Sequence, residues 1–203
     1  GDVKFLAECG ADLIVTDLKR EKELIPSLRR LKRYKNIVYH LGGHHLEDFR
    51  GRDFILKAAG VPLDSPYIAA AQRQGIPIKM STALFAKLAM AGGVKIIGVT
   101  GTRGKSTTTQ LIYEILKAAK YKVHLGGNVL GVSTLALLEK IKPDDWAILE
   151  LDSWQLQGFG EEQISPHFAV FTNFLPDHLD YYQGDMARYQ ADKENIFKWQ
   201  KKG

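Results

Sequence analysis

The sequence predicts an α/β protein in two parts, each a set of parallel strands interleaved with helices. Three observations lead there. Short apolar runs alternate with segments of helical spacing along most of the 203 residues. Strands that alternate with helices imply parallel sheets covered on both faces. The pattern breaks once, at Ala91-Gly92-Gly93, and then restarts.

The elements follow in order. The chain opens almost directly in a helix. Ala11 to Thr16 reads as a buried strand that ends at Asp17. Glu21 to Tyr34 has helical spacing, with Leu24, Leu28 and Leu31 on one stripe. Ile37 to His40 and Asp53 to Leu56 read as strands. Pro66 to Gln74 is a short helix, with Pro at its start and Gly75 just past its end. Ile76 to Met80 is strand-like and Thr82 to Met90 helical. These elements form an expected first domain, residues 1–92, of Rossmann-like type. A strand and glycine-rich turn normally open such a fold, so the first strand is expected to be missing.

The second expected domain covers 93–203. It starts with the apolar strand Val94 to Val99, followed by a glycine-rich turn and a helix from about Ser106 to Ala119. Trp146 to Leu151 and Phe168 to Asn173 are further buried strands, and Met186 to Gln200 is read as a final helix. The chain stops within that helix, before the strand partners that should follow, so this domain too reads as truncated.

Composition narrows the class. The sequence is 45% apolar and 25% charged, ordinary values for a globular protein. No apolar stretch approaches the roughly 18 residues of a membrane span. Val3 to Leu6 is too short for a signal peptide. The single cysteine, Cys9, excludes an internal disulfide and fits a reducing, cytoplasmic setting. A formal charge of +5 invites a nucleic-acid reading. The basic residues are dispersed, however, and no aromatic-basic motif of the single-strand-binding kind is present. The charge also suits an enzyme whose substrates are nucleotides and carboxylates.

The sharpest motif is Gly101-Thr102-Arg103-Gly104-Lys105-Ser106-Thr107. It lies between a strand and a helix, the context in which a glycine-rich loop cradles phosphates. The helix start adds partial positive charge. Lys105 is placed to reach the β- and γ-phosphates of ATP and Ser106 to ligate Mg²⁺. The usual first glycine of a phosphate loop is replaced by Val99, so the motif is of a shorter Gly-Thr-x-Gly-Lys-Ser type. The domain is therefore expected to be P-loop ATPase-like. Triphosphates fit this loop better than a dinucleotide oxidoreductase cofactor does.

The short loop with its threonine tail resembles that of the Mur ligases and of the related folylpolyglutamate synthases. Three other segments carry the same resemblance. Gly126-Gly127-Asn128 is similar to a Gly-Asn turn of the family. Glu150 to Leu156 resembles the Glu-Leu-Ser-Ser-Phe-Gln-Leu segment of its D-glutamate-adding members. Asn173 to Asp180 matches Asn-x-x-x-Asp-His-Leu-Asp. Two departures stand out: Asp152 replaces a serine, and Ala58-Ala59-Gly60 replaces Ser-Pro-Gly.

The resemblance implies a function. The intact enzyme would join D-glutamate to UDP-N-acetylmuramoyl-L-alanine, using ATP and Mg²⁺ and an acyl-phosphate intermediate, in peptidoglycan precursor synthesis. Lys105, Glu150, His178 and Lys193 would be catalytic. Ser106, Glu150, His178 and Lys193 would hold metal, with Lys193, fifteen residues after His178, carrying a carbamate. Asp17, Leu18, Lys19, Gly60, Asn128, Asp152 and Gln155 would contact substrate. An amino-acid-binding third domain would be absent, so residues 1–203 alone are expected to be inactive. The alternatives are a folylpolyglutamate synthase-like enzyme, another Mur ligase, or a nucleotide-binding module without catalysis. The segment Ser153-Trp154-Gln155-Leu156 disfavours the folate reading.

Overall fold

The computed structural model describes residues 1–201, so the last two residues of the expected 93–203 domain lie outside the described residues. Contacts divide the chain into two units, residues 1–57 with 61–78, and residues 58–60 with 79–203.

In the first unit, α1 (Asp2–Glu8) leads into β1 (Leu13–Asp17), α2 (Glu21–Leu31) and β2 (Ile37–Leu41). β1 and β2 pair in parallel, from Leu13 with Ile37 to Asp17 with Leu41. A 3₁₀ turn follows at Leu46–Phe49. β3 (Ile55–Leu56), α3 (Pro66–Arg73) and β4 (Ile78–Lys79) complete it, with β3 beside β4. Phe49, Ile68, Ala71 and Ile76 form a small buried cluster here. The strands expected at 53–56 and 76–80 are only two residues long each. Pro77 has no N–H to donate to a ladder, and its carbonyl accepts from Ile55.

The second unit begins with α4 (Ser81–Ala91), and this corrects the expected boundary at Gly92. Phe85, Ala83 and Ala86 of α4 are fully buried, and α4 packs on elements of the second unit. The chain continues through β5 (Lys95–Thr100), α5 (Lys105–Ala118), β6 (Val123–Gly127), a 3₁₀ turn (Leu135–Glu139), β7 (Trp146–Glu150), α6 (Ser153–Glu161) and β8 (Phe168–Phe171). It ends in α7 (Leu179–Tyr182) and α8 (Met186–Glu194). The final helix is thus shorter than expected. Asn195 caps α8, and Ser165 Oγ donates to the Asn195 carbonyl, tying down the turn that follows.

The strands form one parallel sheet in the order β6-β7-β5-β8. Its core is apolar throughout: Ile96, Val99, Ala147, Ile148 and Leu149 show no exposed surface. α5 packs along β5, β6 and β7, while α6 packs on α4 and α8. From β5 the chain runs outward to β6, back to β7, and then across to β8. The order therefore reverses at β5, and ligands of open α/β sheets bind outside the carboxyl ends of strands at such a reversal. No helix is long and apolar enough to cross a membrane among the described residues.

Candidate functional site

The carboxyl ends of β5, β6, β7 and β8 bring most of the sequence-predicted residues together. β5 ends at Thr100, and the glycine-rich loop follows. Gly104 is in the left-handed region (φ 80°) and begins α5 without any side-chain cap. The first N–H groups of a helix have no partner within it. Those of Lys105, Ser106 and Thr107 are thus left for an anion, and Ser106 and Thr107 are exposed. Lys105 Nζ donates to the carbonyls of Gly101 (3.1 Å) and Thr102 (3.2 Å), so its ammonium lies back over the loop.

The segment after β8 clamps this loop. Thr102 N donates to the Asn173 carbonyl (2.9 Å) and Arg103 N to Asn173 Oδ1 (2.9 Å). Thr172 Oγ1 donates to the Arg103 carbonyl (2.6 Å). Thr102 Oγ1 accepts from Leu175 N (2.9 Å). Gly101 sits at φ 143°, and a Cβ there would overlap Thr172 Oγ1. Thr172 and Asn173 as clamps were missed in the sequence. The available signal was a polar pair directly after an apolar strand.

Glu150 ends β7 in the middle of the sheet, in register with Val99 of β5 and Gly127 of β6. It is buried. Gly127 has φ 83°, and a Cβ there would overlap the Glu150 carbonyl. The next residue, Asn128, donates its N–H to that same carbonyl (2.7 Å). The expected Gly-Asn turn is thus the end of a strand, followed at once by Asn128 held beside Glu150.

Asp152 and Gln155 do structural work that the sequence did not reveal. Asp152 begins α6 and its Oδ1 accepts from Gln155 N (2.7 Å). Gln155 Oε1 accepts in return from Asp152 N (3.2 Å). This reciprocal pair is a capping box. Gln155 Nε2 also donates to Thr82 Oγ1 (3.1 Å), so the amide is engaged at both ends.

His178 and Lys193 both lie near Tyr189. The His178 ring lies edge-on to Tyr189 at 6.1 Å between centroids and against Trp154 at 4.8 Å. The Lys193 ammonium is 5.0 Å from the Tyr189 centroid. It is buried on α8 and donates to the Gly101 carbonyl (2.9 Å) and more weakly to Thr100 Oγ1 (3.4 Å). Burial first, and the charge of Lys105 second, push its pKa down to about 8. Lys105 and Lys193 therefore share one carbonyl oxygen of the loop.

Among the described residues, no three histidine, cysteine or carboxylate side chains converge to hold a metal ion. Mg²⁺ bound with a nucleotide needs only one or two protein ligands beside phosphates and water. The carboxylate of Glu150 and the hydroxyl of Ser106 are oxygen ligands of the type Mg²⁺ takes.

The remaining expected residues lie in other places. Asp17 closes β1, and its Oδ1 accepts from Lys19 N (2.8 Å), making a tight turn that leaves Leu18 71% exposed. The Gly42 N–H donates to the Asp17 and Lys19 carbonyls. Gly60 lies in the turn after Lys57, with open space where a Cβ would stand.

A parallel sheet with a glycine-rich loop at its order reversal defines a domain of P-loop ATPase-like fold. The sequence model of the Mur ligase middle domain matches residues 99–203. The chain belongs to the Mur ligase family. It is 40% identical over 198 residues to the UDP-N-acetylmuramoylalanine–D-glutamate ligase of Clostridium kluyveri. It is 38% identical over 198 residues to the ligase of that name from Acetivibrio thermocellus. Both alignments cover 98% of this chain and 41% of the relative, so the chain spans about two fifths of the length of these relatives. In fold it is similar to the UDP-N-acetylmuramate–alanine ligase of Thermotoga maritima, with a TM-score of 0.55 at 24% identity, over 95% of this chain and 43% of that one.

Proposed function

We propose that residues 79–203 bind Mg-ATP for a ligase that adds D-glutamate to UDP-N-acetylmuramoyl-L-alanine in peptidoglycan precursor synthesis. The observation that carries this reading is the start of α5 at Gly104, which has no side-chain cap, with Lys105 lying back over the glycine-rich loop at the end of β5. The names of the relatives supply the substrates.

In this reading the substrate carboxylate attacks the γ-phosphate, giving an acyl phosphate that the D-glutamate amine then attacks. Ser106 and Glu150 would hold Mg²⁺, which supplies charge neutralisation at the phosphates. Lys105 leaves the loop carbonyls to meet the β- and γ-phosphates. The loop N–H groups orient the triphosphate. Lys193, held partly neutral at physiological pH, is suited to react with CO₂. The amine nitrogen bonds to carbon and loses a proton, leaving a carbamate whose single negative charge is shared by two oxygens. Asn128, whose N–H is anchored to the Glu150 carbonyl, would contact substrate.

The test is nucleotide binding by calorimetry. Lys105→Ala removes a charge-assisted donor and should weaken Mg-ATP roughly tenfold or more. Unchanged affinity would remove the phosphate-loop assignment. For the first unit, Asp17, Leu18 and Lys19 are proposed to contact the uridine nucleotide, at the carboxyl end of β1. Replacing Asp17 and Lys19 with alanine should weaken UDP-N-acetylmuramoyl-L-alanine binding several-fold, roughly the value of two exposed polar contacts. Equal affinity in that double variant would place the uridine site elsewhere.

A further inference from the structure

The first unit buries a carboxylate whose cost the surrounding fold offsets only in part. Asp48 lies in the 3₁₀ turn after β2, and its side chain is 5% exposed. Its Oδ1 is 2.6 Å from His40 Nδ1. Its Oδ2 is buried and has no hydrogen-bond partner. Burying a carboxylate is unfavourable unless it is paired and hydrogen-bonded. The bond to His40 is what compensates for this burial. A carboxylate only accepts, so His40 Nδ1 carries the proton, and the neutral ring keeps Nε2 as an acceptor. The His40 side chain is 39% exposed. Its Nδ1 faces a buried carboxylate, so the exposed edge is the one that bears Nε2. The His45 ring stands edge-on to it, 5.9 Å between centroids, and limits its rotation.

This acceptor stands at the strand ends already assigned to the uridine nucleotide. His40 pairs with Thr16 across β1 and β2, one step before Asp17 pairs with Leu41. The turn after β2 is tied to the end of β1. The Gly42 N–H donates to the Asp17 and Lys19 carbonyls, and Thr16 Oγ1 donates to the Gly43 carbonyl (3.1 Å). His40 is thus held at the carboxyl edge where ligands of such sheets bind.

We propose that His40, oriented by Asp48, is a specificity-determining residue of the uridine nucleotide site. Its Nε2 accepts a hydrogen bond from a neutral donor of the nucleoside, either the imide N–H of uracil or a ribose hydroxyl. An unprotonated ring nitrogen suits these donors and does not suit a phosphate. The inference rests on the uridine reading of this unit, and adds to it a named acceptor and the positioning residue behind it.

Calorimetry on the 203-residue chain tests this, with UDP, CDP, 2′-deoxy-UDP and 3′-deoxy-UDP as ligands. A pH of about 8.5 keeps an ordinary histidine neutral. The parent is compared with H40N and D48N. The amide in H40N reproduces Nδ1–H toward Asp48 and has no atom at the place of Nε2. The amide in D48N donates to Nδ1, which moves the ring proton to Nε2 and turns the acceptor into a donor. Both variants should bind UDP about fivefold more weakly, the effect of one neutral hydrogen bond. Both should melt near the parent, because the bond between the two side chains is kept. If the donor is the imide N–H, H40N leaves CDP binding unchanged, since cytosine has no hydrogen there. If it is a ribose hydroxyl, UDP and CDP weaken alike and the matching deoxy nucleotide is unaffected. Unchanged UDP affinity in folded H40N overturns the proposal, as does a loss shared equally by all four nucleotides. Unchanged affinity in D48N overturns the role of Asp48, and D48N carries the test if H40N does not fold. A parent that fails to bind UDP removes the uridine reading itself and this inference with it. A parent that binds UDP keeps the two failures distinct.

Discussion

Gly127→Ala is expected to lose about 4 kcal/mol of stability or more, placing it among the most damaging single substitutions. Two causes combine. At φ 83° an alanine carries the left-handed penalty, on the order of 1–2 kcal/mol. The added Cβ would also overlap the Glu150 carbonyl on the neighbouring strand. That carbonyl belongs to backbone in the middle of a parallel sheet, so it has no room to yield. Relief requires β6 to separate from β7, which breaks the Asn128 N–H bond to the same carbonyl. Urea denaturation measures the loss directly. A stability within about 1 kcal/mol of the parent would show that the strand ends part freely. Gly131→Ala, also at positive φ but with open space around its Cβ, is the control for the backbone contribution alone.

Lys193→Met is expected to remove a rise in stability that the parent shows between about pH 8 and pH 10.5. The sign follows from proton counts. The folded-state pKa is lowered from 10.5 to about 8, so between those values the unfolded chain holds a proton that the folded chain does not. Stability therefore rises with pH across that window. Below it both states are protonated, and the cost of the buried ammonium is fully present. Above it both are neutral and the cost is gone. The shift corresponds to about 3 kcal/mol across the window. Methionine fills similar space without titrating. Denaturation at pH 7.5, 9 and 10.5 should show the two proteins changing by different amounts, with the parent gaining. Parallel curves would mean that Lys193 is not the desolvated amine described, and its suitability for carbamate formation would go with that.

Much of the second unit was legible in the sequence, because its signals are local. The β5-loop-α5 unit follows from an apolar run, two glycines and Lys105-Ser106 in consecutive positions. Glu150 was legible as the polar residue ending a fully apolar strand. α6 was not read as a helix. Gln155 and Gln157 are buried on it while Gly158 and Gly160 weaken its propensity. Its helical state comes from the Asp152–Gln155 capping box and from packing on α4 and α8. The domain boundary was misplaced for a similar reason. The glycine pair at 92–93 marks the end of a helix, and a helix end says nothing of which unit that helix packs into.

Local signals in the sequence carried the α/β class and the glycine-rich loop with Lys105, while Glu150, His178 and Lys193 were singled out through the family resemblance. Residue type, spacing and periodicity act over a few positions of chain. The meeting of Lys105 and Lys193 on the Gly101 carbonyl and the clamp of Thr172 and Asn173 on the loop follow from the tertiary fold. The Lys193–Gly101 and Asn173–Arg103 contacts join residues 92 and 70 positions apart. They depend on the strand order β6-β7-β5-β8, which brings four strand ends to one edge. Burial then gives them their chemistry: removing Lys193 from water lowers its pKa, and no local pattern records how deeply a side chain will be buried.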